Sequence, residues 1–222
     1  MTIRVLLVDD QALLRTGFRM ILQAQPDLDV VGEAVDGADA VRQVAALRPD
    51  VVLMDVRMPV MDGVRATAAI TADGGPTKVL VLTTFDVDEH AFAALRAGAS
   101  GFLLKDVPPA ELAGAIRAVA AGDAVVSPRI TRQLLDRLPL HPPGPAEGAD
   151  DRNAPLAVLT EREREIFGEV AKGLSNAEIA GRLHLSEATV KTHITRVLAK
   201  LQLRDRVHVV IFAYEHDLLG DR

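Results

Sequence analysis

Short apolar bursts and helix-spaced apolar residues alternate through the first 125 residues of the chain. Val5–Val8, Val30–Val31, Val51–Met54, Val79–Leu82 and Phe102–Leu104 have the length of strands. Between them Leu14, Phe18, Ile21 and Leu22 recur at the spacing of one helix face, as do Val41, Val44 and Ala45, and later Leu112, Ile116 and Val119. The pattern predicts five βα units. Several bursts are apolar at every position, as in a parallel sheet covered by helices on both faces. Pro108-Pro109 suits the opening turn of the last helix. The predicted fold of this half is a doubly wound α/β domain with a five-stranded parallel sheet.

The pattern then changes. Residues 139–155 read PLHPPGPAEGADDRNAP, with five prolines, two glycines and almost nothing to bury, which predicts an interdomain linker locally stiffened by proline. A short helix is expected at about Pro128 to Leu138. Beyond the linker only helices are predicted: Thr160–Lys172, Asn176–Leu183, Glu187–Leu201 and Asp205–Leu218. The expected boundaries are 1–122 for the first domain, 123–155 for the linker and 156–222 for the second domain.

Composition narrows the class. The chain has 222 residues, 49% of them hydrophobic and 25% charged, which suits folded domains and excludes collagen-like or wholly disordered ones. It has no cysteine, so disulfides, iron–sulfur clusters, thiolate zinc sites and cysteine nucleophiles are excluded. No apolar run nears the roughly 18 residues of a spanning helix, and the amino terminus turns acidic too soon for a secretory signal, so a cytoplasmic location and no membrane partner are expected. Residues 1–125 hold 11 basic and 17 acidic side chains, residues 126–155 hold 4 and 4, and residues 156–222 hold 10 and 10. With no global basic excess, any nucleic-acid contact must rest on a local patch.

In an open parallel sheet, ligands bind beyond the carboxyl ends of the strands, where the winding reverses. The first strand ends in Asp9-Asp10, the third in Asp55, the fourth in Thr83-Thr84 and the fifth in Lys105. Singly, each acid reads as a helix cap or turn residue. Together, three carboxylates repel one another unless a cation lies among them, and an all-oxygen donor set suits Mg²⁺. Asp55 is then placed as a nucleophile toward a phosphoryl group, with Lys105 and Thr83 stabilising charge on its oxygens. A dinucleotide fold would need G-x-G-x-x-G after the first strand, where this chain has Asp9-Asp10-Gln11-Ala12-Leu13-Leu14. A haloacid-dehalogenase-like phosphatase would need a second acid at position 57, which is Arg57.

Asp9-Asp10, the string Asp55-Val56-Arg57-Met58-Pro59-Val60-Met61-Asp62-Gly63, Leu82-Thr83-Thr84 and Gly98 to Lys105 together resemble the receiver domain of two-component response regulators, a flavodoxin-like fold. The resemblance implies phosphorylation of Asp55 by a sensor histidine kinase. It implies Mg²⁺ held by Asp9, Asp10, Asp55 and the backbone carbonyl of Arg57, and phosphoryl contacts from Thr83 and Lys105. It also implies that Phe102 is an aromatic switch that turns inward when Thr83 engages the phosphoryl group; the alternative is a plain core phenylalanine.

In the second half, Ser175 to Lys191 reads as helix, tight turn, helix, with Ser175 or Asn176 capping the first helix and Ser186 the second. Val190, Ile194, Val197, Leu198 and Leu201 are expected to form a buried stripe, and Lys191, Thr192, Thr195 and Ala199 the opposite face, shaped to enter a major groove. Ser186 to Arg206 holds five basic residues (Lys191, Arg196, Lys200, Arg204, Arg206) against two acidic ones. Leu159 to Ile166, Ala171 to Asn176, Glu178-Ile179-Ala180 and Thr189 to Ile194, ending with Lys200-Leu201, are similar to the LuxR-type helix-turn-helix of NarL/FixJ-type regulators. That resemblance implies an all-α four-helix domain binding double-stranded DNA through Asn176, Thr189, Lys191, Thr192, His193, Thr195, Arg196 and Lys200. His193 reads as a phosphate contact or a packed residue. Val207, Val210, Ile211 and Tyr214 form a stripe that the domain buries itself or shares with a twin.

The expected function is that of a response regulator whose phosphorylation promotes homodimerisation and DNA binding, with RNA polymerase as a further partner and no enzymatic turnover beyond slow self-dephosphorylation. The rival is a receiver-type module governed by protein or small-molecule contacts without phosphorylation. A phosphatase is a distant third.

Overall fold

The chain falls into two units, residues 1–126 and 127–222. The computed structural model describes residues 2–72, 74–83, 89–122, 154–216 and 218. The helix expected at 128–138, most of the linker and Thr84 lie outside the described residues.

In the first unit five strands alternate with five helices: β1 (Ile3–Val8), α1 (Ala12–Gln23), β2 (Leu28–Ala34), α2 (Gly37–Leu47), β3 (Val51–Asp55), α3 (Gly63–Thr71), β4 (Lys78–Thr83), α4 (Glu89–Arg96), β5 (Gly101–Leu104) and α5 (Pro109–Ala120). All neighbours pair in parallel in the order β2-β1-β3-β4-β5. The doubly wound α/β expectation is met. Chain direction across the sheet reverses between β1 and β3, which puts the switch point above the end of β3.

Strand β3 is buried at all five positions, as its run of apolar residues requires in the middle of a covered sheet. On one face Val5, Leu7, Leu53, Leu80 and Leu82 meet Phe18 and Leu22 of α1 and Leu112, Ile116 and Val119 of α5. On the other, α2 and α3 pack together, with Gly37 close against Ala66. Ala45, expected on the inner face of α2, is exposed; Gly37 and Ala40 are buried instead. Small residues let α2 approach α3 where longer ones would hold it off. Strand β2 is longer than its two valines suggested because it is an edge strand, with Asp29 exposed and Glu33 half-buried. Glu33 is held by Arg15 at 3.1 Å and by Arg19.

The second unit contains a 3₁₀ turn (Ala154–Leu156) followed by α6 (Glu161–Ala171), α7 (Asn176–Leu183), α8 (Glu187–Leu201) and α9 (Arg206–Glu215). Ala154 and Pro155, assigned to the linker from composition, belong to the turn that sets Leu156 into the core. That core joins Leu159, Ile166, Phe167, Ile179, Val190 and Val209. Thr160 caps α6 in a box with Glu163, and Ser175 caps α7 in a box with Glu178. Asp205 caps α9 by accepting from the N–H groups of Val207 and His208, so that helix begins one residue later than expected.

Candidate functional site

Parallel pairing in register carries the predicted residues to one rim. Val8 lies opposite Met54, Asp55 opposite Leu82 and Thr83 opposite Leu104, so the residues at or just past these ends converge. The Lys105 N–H donates to the Thr83 carbonyl at 2.7 Å, extending the β4–β5 ladder to the lysine. Its ammonium lies 2.6 Å from Asp9 Oδ2 and 2.9 Å from Asp55 Oδ2. The three side chains are 6%, 3% and 6% exposed, so the attraction acts largely away from water. Asp9 is further fixed where its Oδ1 accepts from the Gln11 N–H at 2.8 Å and its carbonyl from Arg15 at 2.7 Å.

Asp9, Asp10 and Asp55 present oxygens that all lie within 4.8 Å of one another. Asp10 is exposed and gives the cluster an open side. One lysine cannot balance three carboxylates, and the remaining negative charge together with oxygen-only donors fits a divalent hard cation. Burial pushes the Asp55 carboxyl above the ordinary carboxylate range against the pull of Lys105, with Asp9 adding repulsion. Burial pulls the Lys105 ammonium down, but its bonds to Asp9 and Asp55 outweigh this and hold it above the usual lysine value.

The loop after β3 shapes the mouth. The Arg57 N–H bonds the Asp55 carboxylate. Met61 N–H donates to the Pro59 carbonyl at 2.7 Å across Val60, whose φ of 65° is rare for a β-branched residue. Asp62 then caps α3 by accepting from the Arg65 N–H at 2.8 Å. A depression of about 570 Å³ opens beside Asp10 and Arg57, walled by Val56, Met58 and Val64. Thr83 is buried at the end of β4. Phe102 is 1% exposed: the side chain expected to turn inward on phosphorylation is already inside.

In the second unit α7 ends at His184 in the left-handed region (φ 52°), which makes the tight turn, and Ser186 caps α8 by accepting from the Thr189 N–H. Val190, Ile194 and Val197 are buried; Leu198 and Leu201 are half-buried at the margin. Lys191, Thr192, Thr195 and Arg196 are exposed as the helical period requires. Other predicted contacts have partners within the unit. Thr189 Oγ1 lies 2.8 Å from Ser186 Oγ, Asn176 Oδ1 accepts from Arg206 at 2.6 Å, and Lys200 Nζ lies 2.6 Å from Glu163 Oε2. His193 is half-buried, with an inward Nδ1 that has no hydrogen-bond partner among the described residues. Arg204 and Arg206 are half-buried, so the exposed basic patch is narrower than the count of five suggested. Pairings 30 and 37 residues apart leave no periodic signal. The predicted α9 stripe also shifts: Val207, Val209 and Ala213 are buried, while Val210, Ile211 and Tyr214 are half-buried. The segment is apolar on nearly every side, and its period could not select the inner face.

A profile described as "Response regulator receiver domain" matches residues 5–117, and one described as "Bacterial regulatory proteins, luxR family" matches residues 157–213. The chain belongs to the LuxR-family response regulators. This regulator is 39% identical over 219 residues to the response regulator protein VraR of Staphylococcus aureus strain Mu3, covering 99% of this chain and 100% of VraR. Among solved structures it is similar to the response regulator ChrA of a heme-sensing two-component system (37% identity, TM-score 0.53, 98% of each chain). It is also similar to the receiver domain of the putative response regulator NarL from Mycobacterium tuberculosis (41% identity, TM-score 0.53, 55% of this chain and 98% of that one). A receiver domain with a LuxR-type DNA-binding domain makes the regulator a two-component transcription regulator rather than a typical enzyme. Receiver domains bind Mg²⁺ at an acidic pocket, and Asp9, Asp10 and Asp55 form such a pocket here. No described helix is long and apolar enough to cross a membrane.

Proposed function

We propose that this regulator accepts a phosphoryl group on Asp55 from a phosphohistidine of a sensor histidine kinase, and that the modified chain dimerises and binds specific duplex DNA. The carrying observation is the Lys105 ammonium held 2.9 Å from Asp55 Oδ2 and 2.6 Å from Asp9 Oδ2 at the mouth of the switch point. An Asp55 carboxylate oxygen attacks phosphorus as the bond from phosphorus to the imidazole nitrogen breaks, and the imidazole leaves neutral, keeping the proton already carried on its other ring nitrogen. Asp9, Asp10, Asp55 and the Arg57 carbonyl would hold Mg²⁺, which when bound supplies positive charge to the carboxylates and to the phosphoryl oxygens. Lys105 and the Thr83 hydroxyl take up the charge on the transferred group, and Phe102 packs behind them. Self-dephosphorylation is slow, because Arg57 stands where a phosphatase of the haloacid type has a second acid.

The receiver spans 1–122 and the output domain, with its opening 3₁₀ turn, 154–222; the residues between them are the linker, and the protein acts in the cytoplasm. On DNA, Lys191, Thr192 and Thr195 face bases and Arg196 contacts a phosphate, with Asn176, Thr189 and His193 at the same interface. RNA polymerase is a further partner once DNA is bound. Incubation with a small phosphodonor and Mg²⁺ should give a hydroxylamine-labile label that Asp55→Asn abolishes, and should raise both the dimer fraction and DNA affinity. Full labelling of Asp55→Asn removes the acceptor assignment. Equal DNA affinity with and without the label removes the switch.

A further inference from the structure

Lys200 carries the sequence signature of a DNA contact, but its surroundings give it a different task. At about 100° per residue, the nine steps from Lys191 to Lys200 make about two and a half turns of α8, a net offset of half a circle. The two lysines therefore leave the helix on opposite flanks, and Lys200 faces α6. There its Nζ lies 2.6 Å from Glu163 Oε2, and the Glu163 side chain is only 4% exposed. The same oxygen accepts from the Thr160 N–H at 2.8 Å, while Thr160 Oγ1 accepts from the Glu163 N–H at 3.3 Å. One carboxylate thus joins the amino-terminal cap of α6 to the last turn of α8, 37 residues further along.

We propose that Lys200 is a positioning residue, acting through Glu163 to fix the angle at which α8 presents Lys191, Thr192 and Thr195, rather than a phosphate contact. Turning Lys200 toward DNA would strand a nearly buried carboxylate without its counter-charge, which is costly. The Glu163 carboxyl is pushed down to about 2, first by Lys200 and then by the Thr160 N–H, so it is ionised wherever the chain is folded and functional. Lys200 also sits in the last turn of α8, where a cation suits the exposed carbonyls. The inference rests on the reading of this unit as DNA-binding.

The test uses the full-length chain treated with a small phosphodonor and Mg²⁺, and a duplex that the wild type, treated in the same way, selects from a random pool. Glu163→Gln keeps an oxygen for the Thr160 N–H but removes the charge, and Lys200→Met keeps the apolar stem. Both should weaken binding by the same factor at every salt concentration, leave the slope of log K against log salt unchanged and broaden the base preference. The double variant should be no weaker than either single one, and Lys200→Arg should restore wild-type behaviour. The opposite pattern overturns the inference: tighter binding in Glu163→Gln, with Lys200→Met losing roughly 0.9 of the salt slope as a phosphate contact does. If the wild type selects no duplex, the DNA-binding reading itself fails. The clamp is still decided by thermal stability, where the two variants should be strongly non-additive; additive effects refute it.

Discussion

Gly63, the last residue of the Asp-x-x-Met-Pro-x-Met-Asp-Gly string, should tolerate no side chain, although its φ is unexceptional. A Cβ there would fall 2.0 Å from the Asp55 carbonyl oxygen, 2.9 Å from the Asp55 carbonyl carbon and 3.0 Å from Val56 Cα. Contacts under 3.0 Å essentially do not occur, so Gly63→Ala forces about 1 Å of movement between α3 and the end of β3. Every atom in the way is backbone, and β3 is pinned by β1 and β4 on its two sides, so no side-chain rotation relieves it. Overpacking of this kind costs about 1–3 kcal/mol or more. At roughly 4–8 °C per kcal/mol in a small domain, the loss is easily read in a thermal melt. Displacing Asp55 by about 1 Å should also slow acyl-phosphate formation on the order of 100-fold. Gly114 of α5 is the control, because a Cβ there meets nothing within 4 Å. Gly114→Ala should gain about 0.5–1 kcal/mol by lowering the entropy of the unfolded chain. Both variants would be melted and labelled side by side. A Gly63→Ala chain that melts no lower than wild type and labels as fast would refute the argument from close approach.

Mg²⁺ should raise the melting temperature of the first unit, by about 2.7 kcal/mol of stability at 100 times its Kd, and Asp10→Ala should lose most of that gain; a wild-type midpoint indifferent to Mg²⁺ contradicts the pocket. His184 closes α7 with φ 52° and ψ 48°, so His184→Gly should stabilise the second unit by about 1 kcal/mol, and a lower melting point would show that the turn carries no strain. Glu163 titrates near 4.5 when unconstrained and at about 2 here. As pH falls through that window the unfolded chain takes up the proton first, so stability fully present above about pH 4.5 drains away toward pH 2. Acid titration of Glu163→Gln should be flatter there than wild type, and parallel curves would disprove the pairing.

Strands β1, β3, β4 and β5 were legible because each is a short apolar run whose last residues bear the chemistry, and parallel pairing then brings Asp9, Asp55, Thr83 and Lys105 together. The caps at Ser175 and Ser186 were legible for a similar reason, since each lies within three residues of the N–H it serves; Thr160 and Asp205 read as the first residues of their helices and prove to be the caps just before them. Less was visible where packing decides. The inner face of α2 is made by glycine and alanine rather than by its valines, and α9 is too uniformly apolar for its period to choose a side. The Lys200–Glu163 and Arg206–Asn176 bonds join residues far apart in the chain. Charge counting therefore overstated the basic surface around α8.

The sheet of the first unit ends on both sides in strands that discourage extension. β5 is only four residues long, and β2 carries an exposed Asp29 and the arginine-bound Glu33 along its length. A bare edge of N–H and C=O groups is a template for a strand from another chain, and short or acidic edges are poor templates. Both edges of the first unit are therefore poorly suited to cross-chain β-structure. Helices and the loops at the carboxyl ends of the strands are the better-suited surfaces for contacts with other proteins.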